Sequence, residues 1–186
     1  MLSADDPLPF RPERVLIAGV TGSGKTTLAR RVAAQWNLVH HEIDALHHGP
    51  NWTPRPSFLD DVRAFAATDR WVTEWQYTSK GTDDILTPRA QLAVWLDYPW
   101  RVVRGRLLRR TLGRSVLRTE MYNGNVEKPL WRLLATRDPY ENILAWQTKM
   151  RSFWAERMPE KIERHPHLTI VRLRHPRETE RWLRRL

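Results

Sequence analysis

Two apolar rhythms alternate along this chain. Val15-Leu16-Ile17-Ala18 and Leu92-Ala93-Val94-Trp95-Leu96 are short, uninterrupted apolar runs, as expected of strands buried on both faces of a parallel sheet. Residues 38–43, Trp71-Val72-Thr73 ending at Glu74, and residues 168–173 read as three further strands. Elsewhere the rhythm lengthens to that of a helix. Leu28, Val32 and Trp36, with Ala29 and Ala33, form one stripe on a helix starting at Lys25. Pro50, Pro54 and Pro56 mark a loop, after which Ser57 is placed to cap a helix carrying Phe58, Val62 and Phe65. Pro176 suits the first position of a terminal helix.

Strands alternating with helices predict an α/β fold, a parallel sheet with helices on both faces and right-handed crossovers. From Trp100 to Met158 the pattern is helical only, with Ile143, Trp146, Met150, Phe153 and Trp154 at helical spacing. That stretch, about residues 100–158, is expected to be a helical lid region. Residues 1–12 are proline-rich and aperiodic, and are expected to form a loose arm on a single domain spanning 1–186.

The turn after the first strand carries the chemistry. Gly19-Val20-Thr21-Gly22-Ser23-Gly24-Lys25-Thr26 matches G-x-x-x-x-G-K-[ST]. Glycines reach backbone conformations closed to other residues, so successive N–H groups can turn inward around phosphate oxygens. The helix beginning at Lys25 aims its positive dipole end at the same point. Lys25 is expected to reach the β- and γ-phosphates, and the Thr26 hydroxyl to ligate Mg²⁺. Gly19, Thr21, Gly22, Ser23, Gly24, Lys25, Thr26 and Thr27 are therefore the expected nucleotide-binding residues. ATP with Mg²⁺ is the expected cofactor pair, and the absence of an N-K-x-D guanine-reading motif argues against a GTPase.

A metal-bound triphosphate also needs a carboxylate. Glu74 and Asp97 each end an apolar strand, where ligands of parallel sheets bind; Glu74 is preferred. Asp44 follows the second strand and is read in three ways: as a base or orienter for an acceptor hydroxyl, as a water-mediated metal partner, or as an N-cap. Of His40, His41, His47 and His48, adjacent residues on a strand face opposite ways, so a shared zinc site is disfavoured and substrate contact by His47 or His48 is preferred to it. Trp52 and Trp75 are read either as core or as flanking an acceptor crevice, while Trp36, Trp95, Trp146 and Trp154 lie at core-like positions. Asn123-Gly124-Asn125 reads as a turn, either plain or closing over substrate.

Charge and composition change the picture only modestly. The 186 residues carry a formal net charge of +10 and no cysteine, which excludes disulfides and thiolate metal sites. The N-terminal segment lacks the basic and apolar regions of a signal peptide, and no apolar run reaches the roughly 20 residues of a membrane span. A cytoplasmic protein is expected, with monomer and homodimer both open. Arg101, Arg104, Arg106, Arg109, Arg110, Arg114 and Arg118 crowd one helix. They are a solvated basic face, a nucleic-acid surface, or cations that steady charge on the γ-phosphoryl oxygens during transfer.

With these residues in place, the sequence resembles the small P-loop kinases, and within them the adenylate-kinase-related bacterial proteins of the "DNA topology modulation" type. The similar stretches are Gly19–Thr27 with Leu28-Ala29-Arg30-Arg31, His41-Glu42-Ile43-Asp44-Ala45-Leu46, Pro50-Asn51-Trp52, Arg70-Trp71-Val72, Val94-Trp95-Leu96-Asp97-Tyr98-Pro99 and Val171-Arg172-Leu173-Arg174. The resemblance implies a three-layer α/β/α P-loop fold with five strands in the order 2-3-1-4-5. It also implies an acceptor region near residues 45–68 and a lid whose arginines include Arg106, Arg110 and Arg114. The base of ATP falls near Arg174 on the same grounds. Lys25, Asp44, Arg110 and Arg114 become the expected catalytic set, and Thr26 and Glu74 the metal set. The activity implied is phosphoryl transfer from Mg-ATP to a small acceptor, first a nucleotide or nucleoside. The alternative is an ATP-binding, nucleic-acid-associated protein without small-molecule kinase activity. One departure stands out: Glu74-Trp75-Gln76-Tyr77 replaces the relatives' Asp-Gly-Asn-Tyr, and Trp75 is expected to fill space beside the reaction site, giving a different acceptor or a weakened activity.

Overall fold

The computed structural model describes residues 1–117, 120–125, 138–139 and 142–186. Its centre is β1 (Arg14–Gly19), buried from Val15 to Gly19. β3 (Trp71–Glu74) pairs with it on one side and β4 (Leu92–Leu96) on the other, both in parallel. β2 (Val39–His41) and β5 (Thr169–Leu173) complete a five-stranded parallel sheet in the order β2-β3-β1-β4-β5. The expected order and strand set are thus observed, and the continuous apolar runs are the strands covered on both faces.

Two cores form because side chains alternate across the sheet. Val15, Ile17, Val72, Val94 and Val171 face α1 (Lys25–Trp36) and the C-terminal helix. Leu16, Ala18, Trp71, Ala93, Trp95 and Ile170 face the opposite way. There they meet α2 (Ile43–His47), α3 (Phe58–Ala66), α4 (Thr82–Leu86) and a helix close to the C-terminal strand. α1 has the expected bounds and buries Leu28, Ala29, Val32 and Trp36; Asn37 in the left-handed region ends it. α5 (Trp100–Leu117) buries Val103, Leu107 and Thr111. α6 (Ile143–Lys149) and α7 (Phe153–Arg164) follow, and α8 (Pro176–Leu183) begins on its proline, its preceding His175 ring accepting from the Arg177 N–H.

Four expectations change. The second strand stops at His41, and Ile43 opens α2, so Asp44 lies in a helical first turn. Ser57 makes no side-chain cap; its hydroxyl donates to Asp61 instead. Trp146 is only partly buried, and the side chain of α6 that faces fully inward is Gln147. The N-terminal arm is tied down at its start. Leu2 pairs with the edge of β5, its N–H donating to Ile170 O at 2.7 Å and its carbonyl accepting from Arg172 N at 2.9 Å. Ala4 is buried, and Arg181 and Arg185 reach Asp5. An otherwise open strand edge is thereby covered.

A polar node lies inside the second core. Asp83 accepts from the Trp75 indole at 2.9 Å and the Thr87 hydroxyl at 3.0 Å, and pairs with the buried ammonium of Lys161.

Candidate active site

The loop between β1 and α1 takes the shape its glycines predict. Gly22 and Gly24 have φ of +85° and +101°, a region that side chains rarely adopt. Gly22 also has no room for a side chain: a Cβ would come within 2.7 Å of Val103 O. Lys25, the first residue of α1, turns back across the loop and donates to Val20 O at 3.3 Å. It is 8% exposed. Burial pushes its ammonium down to about 8, against the opposing pull of Asp44 and Glu74 and with the help of Arg110. Lys25 therefore sits within electrostatic reach of two carboxylates and one expected lid arginine. The Ser23 hydroxyl is buried with no hydrogen-bond partner among the described residues.

Glu74 is positioned by the sheet register, with Ile17 directly opposite it, two residues before the loop begins. Its carboxylate is buried, which by itself would raise its pKa. Three contacts outweigh burial and hold it below the usual carboxylate range: the His40 ring at 3.2 Å, the Ile43 N–H at 3.2 Å, and the Thr26 hydroxyl. Thr26 and Glu74 are the expected metal pair, and they meet. A hydroxyl and an ionised carboxylate side by side suit Mg²⁺, which takes few protein oxygens and fills its shell with phosphates and water. Among the described residues no cluster of three or more His, Cys, Asp or Glu could hold a metal by itself. Asp97, the other strand-end acid, is instead engaged by Arg172.

Asp44 accepts from the Gln76 amide at 2.9 Å and the Tyr77 hydroxyl at 2.7 Å, both on Oδ1. Burial and the Asp44 charge raise the Tyr77 hydroxyl far above its ordinary value, so it remains a donor. His40 and His41 part company as expected: His40 turns to Glu74, and His41 stacks on Phe65 at 4.3 Å.

The arginines divide. Arg106 donates to Ser23 O at 3.0 Å and lies over the Tyr98 ring. Arg104 donates to Leu144 O at 2.7 Å and to the Gln147 amide oxygen. Arg114 reaches the Met121 sulfur, and Arg110 lies near Lys25. Arg118 lies outside the described residues. Arg174 is exposed beyond β5, its N–H donating to Glu178, and Thr27 is exposed on α1.

Trp75 follows the core reading, which corrects the expectation that it fills space beside the reaction site. It does not border the crevice: it is fully buried, packs on Trp154 at 5.0 Å and donates to Asp83. Trp71, Thr73 and Trp75 alternate onto one side of the strand, and Glu74 falls on the other, so the tryptophan fills core. The residues beside Asp44 are Gln76 and Tyr77.

Two further contributors appear: Gln147, which had no sequence signal, and Asn123-Gly124-Asn125, which reads from the sequence only as a turn, plain or closing over substrate. The buried Gln147 amide donates to Thr21 O at 2.6 Å and Val103 O at 3.2 Å, tying α6 to the glycine loop. The turn at residues 122–124 docks on the expected acceptor region: Asn123 donates to Ala45 O and His48 O, and Asn125 donates to Gly49 O and accepts from Trp52 N. Tyr122 interacts with Glu42 and lies within electrostatic reach of Asp44; burial, the first of these influences, raises its hydroxyl far above the ordinary value.

A gluconokinase from Sinorhizobium meliloti superimposes over 94% of this chain and 93% of its own, with a TM-score of 0.50 and 18% identity. That likeness is one of fold. A sugar kinase from Janibacter sp. aligns with 80% of this chain and 97% of its own at 23% identity, but its TM-score of 0.38 is too low to bear on the fold. No family model matches the chain, and no curated protein matches it.

Proposed function

We propose that this chain is an ATP-dependent phosphotransferase acting on a small acceptor, with a nucleotide or nucleoside as the first candidate. One observation carries the reading: a buried lysine inside a phosphate-shaped backbone turn, within electrostatic reach of both Glu74 and Asp44. Amide groups of residues 19–25 and Lys25 bind the triphosphate, and the orphan Ser23 hydroxyl suits a phosphate oxygen. Thr26 and Glu74 would hold magnesium, which when bound neutralises charge on the transferring oxygens. Gln76 and Tyr77 fix Asp44 through Oδ1, which leaves Oδ2 to meet an acceptor hydroxyl. That hydroxyl oxygen bonds to the γ-phosphorus, its proton passes to Asp44, and the bond to the bridging oxygen breaks to release ADP. Arg106, Arg110 and Arg114 would be the lid cations, and by the resemblance Arg174 would contact the base. Arg104 and Arg106 are turned onto α6 and the loop, which favours a lid over a nucleic-acid surface. We place the protein in the cytoplasm.

The test is ADP release by purified protein against nucleoside monophosphates, nucleosides and sugar acids. Asp44→Asn is expected to lower turnover by about 10²–10⁴-fold while leaving ATP affinity, read by calorimetry, unchanged. Undiminished turnover would remove Asp44 from the mechanism, and no heat from ATP with Mg²⁺ would end the whole reading. Nucleic-acid binding that weakens steeply with salt, without turnover, would favour the alternative.

A further inference from the structure

A wide-mouthed cavity of about 400 Å³ lies beside α3, lined by three cations, Arg55, Arg63 and Lys80, by the Asp60 carboxylate, and by His47 and Phe58 among others. Its size is that of a small-molecule site. None of the glycine loop, Glu74 or Asp44 lines it. A wall of rings stands between it and Asp44: His47 stacks on Tyr77 at 4.1 Å, and Phe58 meets both edge-on.

The cations of this cavity differ in how they are paired. Arg55 lies 3.1 Å from Asp61, and Arg63 lies 2.7 Å from Asp60. Lys80 instead donates to His47 Nε2 at 2.7 Å, and no carboxylate of a described residue lies within ion-pair distance of it. An exposed ammonium resting on a neutral imidazole is poised to exchange that partner for an anion, since charge-assisted hydrogen bonds are the stronger kind.

The imidazole leads onward. Because Lys80 can only donate, the His47 proton must sit on Nδ1, where it faces His48 Nδ1 at 3.4 Å. His48 Nε2 then meets the Tyr77 hydroxyl at 3.0 Å, and that hydroxyl donates to Asp44 at 2.7 Å. With these tautomers the donors run from the cavity toward Asp44, and the His48 ring also interacts with the Trp52 backbone. Burial and the Lys80 charge push His47 down to about 4, which keeps it the neutral link this arrangement needs.

We propose that this cavity, which lies within the expected acceptor region at residues 45–68 but across the ring wall from Asp44, binds a small anionic molecule separately from the triphosphate crevice, with Lys80 as the pairing cation. An anion there draws the ammonium off His47 Nε2 and removes what orients the chain, so occupancy is felt at Tyr77 and Asp44.

The experiment follows the His47 imidazole resonances while inorganic phosphate or succinate is added. The wild-type protein is first saturated with a non-hydrolysable ATP analogue and Mg²⁺, which fills the glycine loop. A parallel titration uses Lys25→Ala without nucleotide, so the cavity is tested even if the ATP-binding reading fails. A saturable His47 shift is expected in both. Lys80→Met, at an exposed position, is expected to weaken the anion at least about tenfold, or ~1.4 kcal/mol. A stronger response to one probe identifies phosphate or carboxylate as the preferred group. Absence of a saturable shift with both anions, undiminished binding in Lys80→Met, or loss of the shift once the analogue is bound would each overturn the proposal.

Discussion

Lys25→Met is expected to cut phosphoryl transfer by at least about a thousandfold, the scale of losing a cation that faces developing charge, without making the protein less stable. Most substitutions of buried residues destabilise; this one removes a desolvated ammonium. Burial holds Lys25 at about 8 in the free protein, so at neutral pH the fold confines a charge that the unfolded chain leaves in water. Methionine fills similar volume with no charge to bury.

The pH dependence gives the prediction its sign. Above about pH 8 the folded protein releases the Lys25 proton while the unfolded chain keeps it, so wild-type stability rises with pH relative to Lys25→Met. The gain is roughly 2 kcal/mol between about pH 8 and about pH 9.5. Denaturant unfolding of both proteins across that range reads it directly. A wild type that stays more stable than the variant at pH 7, with a constant gap, would show that the ammonium is not desolvated. Retained turnover would show that it does not touch the triphosphate.

Asp83→Ala is expected to be among the most damaging single changes to the fold, costing about 3–5 kcal/mol. Lys161 would be left as a buried cation without its partner, and the Trp75 indole and Thr87 hydroxyl would lose their acceptor. Lys161→Met is expected to cost less, because Asp83 keeps two donors. The double variant is expected to be more stable than Asp83→Ala alone, since the stranded charge is gone; strictly additive losses would refute the pairing. Burial raises Asp83, but Lys161, Trp75 and Thr87 together hold it below its ordinary value. Its contribution is therefore present at neutral pH and lost as the pH falls through that lowered value.

What was legible in the sequence follows from how locally each feature is specified. The glycine loop needs only its own backbone, so G-x-x-x-x-G-K-T predicted the left-handed turns at Gly22 and Gly24 and the helix start at Lys25. β4 matched its expected bounds, because a strand covered on both faces leaves an unbroken apolar run. Glu74 and Asp44 were named from their place at strand ends, and both lie within electrostatic reach of Lys25. Even the burial of Trp75 was recoverable, from the alternation of Trp71, Thr73 and Trp75 against Glu74.

Tertiary structure alone showed how the partners of two similar strand-end acids differ. Asp97 ends a strand as Glu74 does, but Arg172, 75 residues away, occupies it. Gln147 reaches Thr21 across 126 residues, Lys161 reaches Asp83 across 78, and Lys80 reaches His47 across 33. A hydrogen bond or ion pair between distant segments leaves no periodicity, because it constrains one side chain at each end and nothing between. Local backbone chemistry therefore made the glycine turn readable, whereas long-range polar pairing, which depends on where the folded chain returns, set the orientation of the groups around it.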